Sequence, residues 1–159
     1  MPENQFLTEK VSSLVEKYDS IIRNRETAKY VEAMTKTVLI QPLFEALGWK
    51  FDGNEVTLEE NVGKDFADYG FRINGVPKFF LEAKSLKVDL DHPKFIKQAI
   101  DYAWYKGCPW AVLTNFERIR IFNAEWKGKS LMDSHFMTCL LYTSPSPRDR
   151  TRSRMPSSA

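Results

Sequence analysis

The sequence predicts an α/β (α+β) domain in which helices flank a mixed central sheet, with the element order α-α-β-β-β-α-β-β. Three observations support this prediction. Apolar residues recur at helical spacing before Trp49, the spacing shortens to strand-like runs after Asn54, and one more helical stretch separates three predicted strands from two others. The 159 residues, 43% hydrophobic and 28% charged, suffice for one packed domain.

Two helices are predicted ahead of the strands. The second runs from about Thr27 to Leu47, with Gly48 as its C-terminal stop, and Pro42 is expected to kink or split it. In the first helix, apolar side chains recur at steps of three and four residues, which is the spacing of one buried face. These side chains are Phe6, Val11, Leu14, Val15, Tyr18, Ile21 and Ile22.

Five strands and one helix are predicted downstream. The first three strands cover residues 55–60, 67–73 and 78–84, and the turn residues Asn74 and Gly75 join the last two of these into a hairpin. A helix follows from about Pro93 to Lys106. Strands at residues 110–114 and 118–123 complete the predicted sheet.

The register of the predicted hairpin follows from the positions of its apolar residues. All of these are odd, namely Tyr69, Phe71, Ile73, Phe79, Leu81 and Ala83. Cross-strand partners must then sum to an even number, and a three-residue connection pairs Phe71 with Phe79 and Asp68 with Glu82. Because side chains alternate between the faces of a strand, Asp68, Glu82 and Lys84 are expected to share the polar face.

The facing carboxylates of this hairpin predict a cation site. Two carboxylates about 5 Å apart at the Cα level repel each other, so a cation is expected between them. Mg²⁺ prefers oxygen ligands and typically takes one or two protein carboxylates, so Asp68, Glu82 and the backbone carbonyl of Ala83 would supply part of its shell. Lys84 would orient or deprotonate an attacking water, or neutralise charge on a phosphate. The alternative is a solvated hairpin face with a Lys/Glu pair, which side-chain chemistry alone favours.

Sequence blocks around these residues resemble a known family. Asp68 opens one strand and Glu82-Ala83-Lys84 ends the next, which resembles the PD-(D/E)xK nuclease motif, with Ala67 in place of its proline. The wider blocks resemble the N-terminal nuclease domain of type I restriction subunits and of combined (type IIG) restriction-methylation enzymes. These blocks are Ile40–Trp49, Asp68–Ile73, Lys78–Lys84 and Trp110–Phe116. The resemblance implies a restriction-endonuclease-like core and a Mg²⁺-dependent DNA endonuclease.

The resemblance also implies roles for residues outside the hairpin. Gln98 and Tyr102 lie four apart on the predicted helix, a spacing similar to the family's accessory motif. Gln98 would then help hold Lys84 or the DNA backbone, and Tyr102 would contact phosphate; the alternative is a tyrosine at the core edge beside an exposed glutamine. Glu32 would face the metal, and otherwise forms a surface pair with Lys36 four residues on.

Substrate and partners follow from the same resemblance. It implies double-stranded DNA as substrate, together with downstream motor or methyltransferase domains or subunits. The chain has no P-loop and no methyl-donor motif, so ATP or S-adenosylmethionine would act only through those other parts. The alternatives are a repair or recombination nuclease of the same fold and a catalytically silent DNA-binding or assembly module.

Compartment is inferred from what the sequence lacks. The chain has no leader-like start and no apolar run near the ~20 residues of a membrane span, so a soluble, cytoplasmic protein without a membrane partner is expected. Cys108 and Cys139 stand outside any CxxC or Cys/His cluster. They predict neither a disulfide framework nor a zinc site.

Residues 139–159 differ in composition from the rest of the chain, with three prolines, four arginines and no aromatic residue after Tyr142. This tail is expected to be disordered and artefactual, since its residue order resembles a translated sequencing-library adapter. A single domain is therefore predicted for residues 1–138, from a protein that continues beyond Thr138. Without the tail, the 23 basic and 21 acidic residues become 19 and 20, so net charge gives no support for nucleic-acid binding.

Overall fold

The computed structural model describes residues 2–63, 65–126 and 128–142. Its helices are α1 (Pro2–Arg23), α2 (Glu32–Thr35), α3 (Gln41–Ala46) and α4 (Pro93–Tyr105). Its strands are β1 (Val56–Val62), β2 (Asp65–Ile73), β3 (Val76–Ala83), β4 (Trp110–Thr114), β5 (Arg118–Asn123) and β6 (His135–Leu140). Within these described ranges, no helix is both long and apolar enough to cross a membrane.

The strands form one mixed sheet, as predicted, although it has six strands and not the predicted five. They lie in the order β1-β2-β3-β4-β5-β6, and every neighbouring pair is antiparallel except β3 and β4. Parallel strands need a long crossover connection, and α4 supplies it between β3 and β4. His92 caps α4 by accepting a hydrogen bond from the Lys94 backbone N–H at 3.2 Å, and Pro93 occupies its first turn.

A hydrophobic core lies on each face of the sheet. Leu81 and Val112 belong to the core that α1 and α3 cover, whereas Phe80 and Leu113 belong to the core that α4 covers. Neighbouring residues of β3 and β4 thus point to opposite cores, as the two-residue period of a strand requires. The face of β3 that was expected to be polar is therefore buried under a helix.

The second predicted helix begins later than expected. Thr27 opens a 3-10 turn, and Val31 is extended, so the helix starts only at Glu32. From there α2, a π-helical turn (Lys36–Ile40) and α3 follow without a break. Pro42 therefore does not split the helix; the segment changes to a π-helical turn directly before α3, whose first turn holds Pro42, and a kink there stays a prediction.

The hairpin between β2 and β3 has the predicted register, but its turn is shorter than predicted and a bulge compensates for the difference. Phe71 pairs with Phe79, as predicted, but the connection has two residues rather than three. Asn74 and Gly75 both have positive φ (52° and 77°), which a tight two-residue hairpin turn requires. A register shift between Phe71 and Arg72 supplies the extra residue and restores the predicted pairing.

The end of the folded chain differs from the prediction. Cys139 and Leu140 belong to β6, a strand that was not predicted, and Tyr142 packs on Tyr18 with ring centroids 4.9 Å apart. The first residues assigned to the tail thus form part of the sheet and core. Residues 143–159 lie outside the described residues, and the adapter origin of the tail stays a prediction.

Candidate active site

Asp68, Glu82 and Lys84 come together where β2 and β3 adjoin the start of the helical segment and α4. Phe71 pairs with Phe79 and Tyr69 with Leu81, and continuing this register sets Asp68 opposite Glu82, as predicted. Glu82 and Lys84 are nevertheless buried, at 5% and 7% relative exposure. The expected alternative of a solvated Lys/Glu face is therefore wrong, because α4 covers this part of the sheet.

Both carboxylate oxygens of Asp68 are engaged. Oδ2 accepts a hydrogen bond from the Ala83 backbone N–H at 2.7 Å. Oδ1 accepts one from Lys36 Nζ at 2.6 Å, and this ion pair is largely shielded from solvent. Burial acts to lower the pKa of Lys36, but the hydrogen bond and the charge of Asp68 outweigh burial and raise it. Lys36 is thus a cation at the site, and it was not predicted as a site residue.

Glu82 is the most perturbed acid of the site. Its Oε1 accepts a hydrogen bond from Lys84 Nζ at 2.6 Å. Its Oε2 is buried and has no hydrogen-bond partner in the part of the chain that the structure describes. Burial, followed by repulsion from Asp68, raises the pKa of Glu82 to about 7, although the hydrogen bond and charge of Lys84 act in the opposite direction. Buried polar atoms are normally hydrogen-bonded, so this oxygen calls for a partner such as an ion or a water.

Lys84 is held from three sides. Its backbone N–H donates to the Thr114 carbonyl at 2.8 Å, which fixes it beside β4. Its Nζ lies 4.9 Å from the centroid of the Phe95 ring on α4, a cation-π contact. The same Nζ is 3.4 Å from Gln98 Oε1. The lysine thus has a defined orientation toward Glu82.

Gln98 and Tyr102 continue this chain of contacts along α4. Gln98 Nε2 donates to the Tyr102 hydroxyl at 2.9 Å, while its Oε1 faces Lys84. Burial raises the pKa of Tyr102, and the charges of Glu82, Asp65 and Asp68 add to this effect against the hydrogen bond from Gln98. Gln98 thus lies between Lys84 and Tyr102 and is engaged at both ends rather than exposed and free. Its role in holding Lys84 or the DNA backbone stays a prediction. The phosphate contact of Tyr102 stays a prediction.

Glu32 lies at the margin of the site. It opens α2, and its carboxylate is 4.0 Å from Lys36 Nζ, so the expected i,i+4 pair is present at long range. Its side chain is 47% exposed. Its charge contributes to the raised pKa of Glu82, which places it within electrostatic range. The described contacts of Glu32 are with Lys36, and a metal-facing role stays a prediction.

Lys36 could have been found in the sequence by two signals. It lies four residues after Glu32 on one helix face, and it precedes Pro42, a residue type that can interrupt a helix, by less than two turns. Neither signal indicates that the π-helical turn brings it to Asp68, which is distant in the sequence. That contact depends on tertiary packing.

The oxygen atoms of this site fit Mg²⁺. Among the described residues, no group of three or more histidine, cysteine, aspartate or glutamate side chains is placed to hold a metal, and Mg²⁺ typically takes only one or two protein carboxylates. Glu82 Oε2 has an open position. The N–H and C=O of one strand residue face the same neighbour, so the Ala83 carbonyl is expected to lie on the side of Asp68. Lys36 occupies Asp68 Oδ1 and would have to leave it for a metal ligand there.

A groove runs beside the site along α4. Its volume is about 770 Å³, which is within the size range of ligand sites. Gln98, Tyr102, Lys94 and Lys97 of α4 belong to its lining. Asp65 and Asp101 line it as well, and Asp101 pairs with Lys97. The groove therefore carries both signs of charge, and Gln98 connects it to Lys84.

Comparisons with known proteins agree on one family. Residues 53–130 match the family described as type I restriction enzyme R protein N terminus. The chain is 31% identical over 132 residues to the type II restriction enzyme and methyltransferase RM.Eco57I of Escherichia coli, an alignment that covers 72% of this chain and 13% of that protein. It also resembles a fragment described as an HsdR subunit of a type I restriction enzyme from Vibrio vulnificus YJ016, with a TM-score of 0.52 and 23% identity over 76% of this chain and 24% of that one.

These findings differ in what they support. At 23% identity, the structural likeness supports the fold alone. The chain spans 13% of the length of the E. coli relative, so the activity of that whole protein does not transfer directly. The matched stretch contains Asp68, Glu82, Lys84, Gln98 and Tyr102. Residues 53–130, just under half of the chain, thus resemble the family of type I restriction enzyme R protein N termini.

Proposed function

We propose that this chain is the DNA-cleaving domain of a restriction-modification enzyme, and that it hydrolyses phosphodiester bonds of double-stranded DNA with Mg²⁺. One observation carries the proposal: Glu82, buried beside Lys84 and opposite Asp68, has an oxygen without a hydrogen-bond partner among the described residues. A buried carboxylate is costly unless it is paired or binds a metal. An open oxygen beside a second carboxylate is what a hard divalent cation requires.

In this proposal Asp68, Glu82 and the Ala83 carbonyl hold Mg²⁺, which supplies charge neutralisation and activation of water when bound. Lys84 points to the same side as Glu82 and hydrogen-bonds it. Lys84, which is already the donor in its ion pair with Glu82, orients the attacking water. Water adds to phosphorus, one P–O bond to a sugar breaks, and the proton that the water loses passes through solvent to the leaving oxygen. Lys84 also balances negative charge that builds on the phosphate.

The groove beside α4 is the proposed path of the DNA backbone. Lys94, Lys97, Gln98 and Tyr102 all line it, and Gln98 also contacts Lys84. Lysines supply the phosphate contacts that dominate non-specific DNA affinity. Gln98 holds Lys84 in position, and Tyr102 contacts the phosphate. Since Lys97 already pairs with Asp101, this domain alone is expected to bind DNA weakly.

The partners belong to the proposal as well. The named relatives are much longer than this chain, which covers 13% and 24% of them. We propose that motor or methyltransferase domains or subunits accompany this domain, as parts of a type I or a type IIG restriction enzyme. ATP or S-adenosylmethionine would act through those parts, and cytoplasmic DNA is the proposed substrate.

One observation favours a second candidate, a catalytically silent DNA-binding or assembly module. Lys36 and the Ala83 N–H together engage both oxygens of Asp68, so the first acid is already neutralised without a metal. If Lys36 stays on Asp68 permanently, the site holds no Mg²⁺. A nicking assay separates the two candidates.

The assay compares Lys84→Met with wild type on supercoiled plasmid in the presence of Mg²⁺. Methionine keeps the length of the side chain and removes its charge, so nicking is expected to fall by at least ~100-fold. Lys78→Met is the matched control, because Lys78 is an exposed lysine on the same strand. A chelator should abolish nicking by all forms.

Two outcomes would contradict the nuclease proposal. Equal nicking by wild type and Lys84→Met would exclude Lys84 from catalysis. No nicking by wild type, either alone or joined with its partner domains, would favour the silent module.

A further inference from the structure

Two backbone irregularities lie next to Asp68. The π-helical turn begins at Lys36, whose side chain reaches Asp68. On the other side of β2, Leu58 pairs with Tyr69 and Glu60 with Ala67, but Glu59 has a φ of 50° and does not pair with Asp68. Positive φ in a residue other than glycine is uncommon, and both π-helical turns and such strain occur often at functional sites.

The contact between Lys36 and Asp68 is stronger than an ordinary surface pair. Their atoms are 2.6 Å apart, and the two side chains are only 23% and 13% exposed. The other oxygen of Asp68, Oδ2, already accepts a hydrogen bond from the Ala83 N–H at 2.7 Å. A divalent cation bound to either oxygen would therefore lie close to the Lys36 ammonium on the same carboxylate, unless Lys36 moves away. Two cations on one carboxylate repel each other strongly in a partly buried site.

Lys36 has a second carboxylate within reach. Glu32 lies one helical turn earlier, 4.0 Å from Lys36 Nζ. Its side chain is 47% exposed, and it makes no shorter described contact. A long, flexible lysine stem turns between two such partners by changing rotamers. The helix therefore offers Lys36 two positions, one on Asp68 and one on Glu32.

We propose that Lys36 is a placeholder cation, which neutralises Asp68 while the site holds no metal and moves to Glu32 when a divalent cation binds at Asp68 and Glu82. This inference rests on the metal site of the proposed function and adds a competitor to it. Lys36 reduces the repulsion between the facing carboxylates in the metal-free protein. It also weakens metal binding, since the cation must displace it.

Calorimetric titration of the whole chain with Mn²⁺ or Mg²⁺, without DNA, tests this proposal. Lys36→Met is expected to bind the ion on the order of tenfold more tightly than wild type, because the competing charge is gone. Lys36→Arg keeps the charge and should bind with an affinity close to that of wild type. Lys29→Met is the matched control, since Lys29 pairs with Glu26 on the surface and its loss should leave the affinity unchanged.

Glu32→Gln tests the second position of Lys36 without removing the lysine. Losing that position should hold Lys36 on Asp68 and weaken ion binding several-fold. In the Lys36→Met background the same change should have no effect. An equal effect in both backgrounds would show that Glu32 acts on the ion directly, and would overturn the movement of Lys36.

The remaining outcomes separate this inference from the proposed function. If wild type binds the ion and folded Lys36→Met binds it equally or less tightly, the placeholder role is wrong and the metal site stands. If neither wild type nor folded Lys36→Met binds it, both proposals fail. Circular dichroism establishes that each variant is folded.

Discussion

Glu82 has to be neutral or paired, because its environment penalises a bare charge. Its side chain is buried, Asp68 repels it, and Lys84 engages only one of its two oxygens. The result is a carboxyl whose pKa rises to about 7. A proton, Lys84 and a divalent cation thus compete for or share the same group. The stability of the metal-free protein should therefore depend on pH in the range where Glu82 ionises.

The substitution Glu82→Gln tests this dependence. The pKa is about 7 in the folded protein against the ordinary 4.5, so the folded state binds the extra proton between these values. The contribution of Glu82 to the free energy of unfolding is complete below pH 4.5 and is lost as pH rises through 7. The shift corresponds to ~3 kcal/mol. Because glutamine does not ionise, the stability of the variant relative to wild type should rise by about this amount between pH 5 and pH 8.

Urea denaturation in the presence of a chelator measures both proteins at each pH. Glu82→Gln also loses the ion pair with Lys84, which changes its free energy of unfolding by a constant amount. This constant cancels when the difference between the two proteins is compared across pH. Glu45→Gln serves as control, since Glu45 is exposed. A difference that stays flat from pH 5 to pH 8 would mean that Glu82 ionises normally in the fold.

The limits of a helix or strand were predictable where a local sequence pattern alone determines them. Strands β4 and β5 and helix α4 begin where predicted, because apolar periodicity and flanking turn residues mark them. The register of the β2–β3 hairpin was predictable from parity, whereas its bulge was not, since a two-residue turn with a bulge and a three-residue turn give the same pairing of Phe71 with Phe79. The contact of Lys36 with Asp68 depends on how the helical segment packs. No local pattern encodes that contact.

Helix α4 should act on Lys84 through Gln98. The Tyr102 hydroxyl accepts the Gln98 amide hydrogen bond, and Gln98 Oε1 faces Lys84. In Tyr102→Phe the amide loses this partner, which is worth ~1 kcal/mol. The rate of single-turnover nicking is therefore expected to fall about fivefold. Tyr30→Phe, on the opposite core, should nick at the wild-type rate.

DNA affinity distinguishes positioning from direct contact in this variant. If Tyr102 acts only by holding Gln98, the dissociation constant for DNA stays unchanged while the rate falls. If Tyr102 contacts phosphate, the affinity falls as well. An unchanged rate would remove the tyrosine from the site altogether.

At the scale of the whole molecule, composition misplaced the end of the fold. The change in character at Cys139 assigned that residue and the next three to the tail. Cys139 and Leu140 instead extend the sheet, where Ile119 pairs with Cys139 and Arg118 with Leu140, and Leu141 and Tyr142 pack against the core. Strand β6 is mostly exposed and shows no alternation of burial, so it carried no periodic signal. A sheet edge accepts a strand through backbone hydrogen bonds, which need no particular side chains.

A chain that ends at Tyr142 should be more stable than one that ends at Thr138. The longer chain keeps the pairing of Cys139 and Leu140 with β5, the hydrogen bond from the Leu141 N–H to the Glu117 carbonyl, and the contact of Tyr142 with Tyr18. Its Tyr142 hydroxyl also donates to Asp19 at 2.8 Å. Apolar burial of one large side chain contributes ~2 kcal/mol, so the free energy of unfolding should differ by at least this amount.

Tyr142→Phe in the longer chain should lose only ~1 kcal/mol, the value of the hydrogen bond. Urea denaturation measures all three proteins, and equal stability of the two chain lengths would return the boundary of the domain to Thr138.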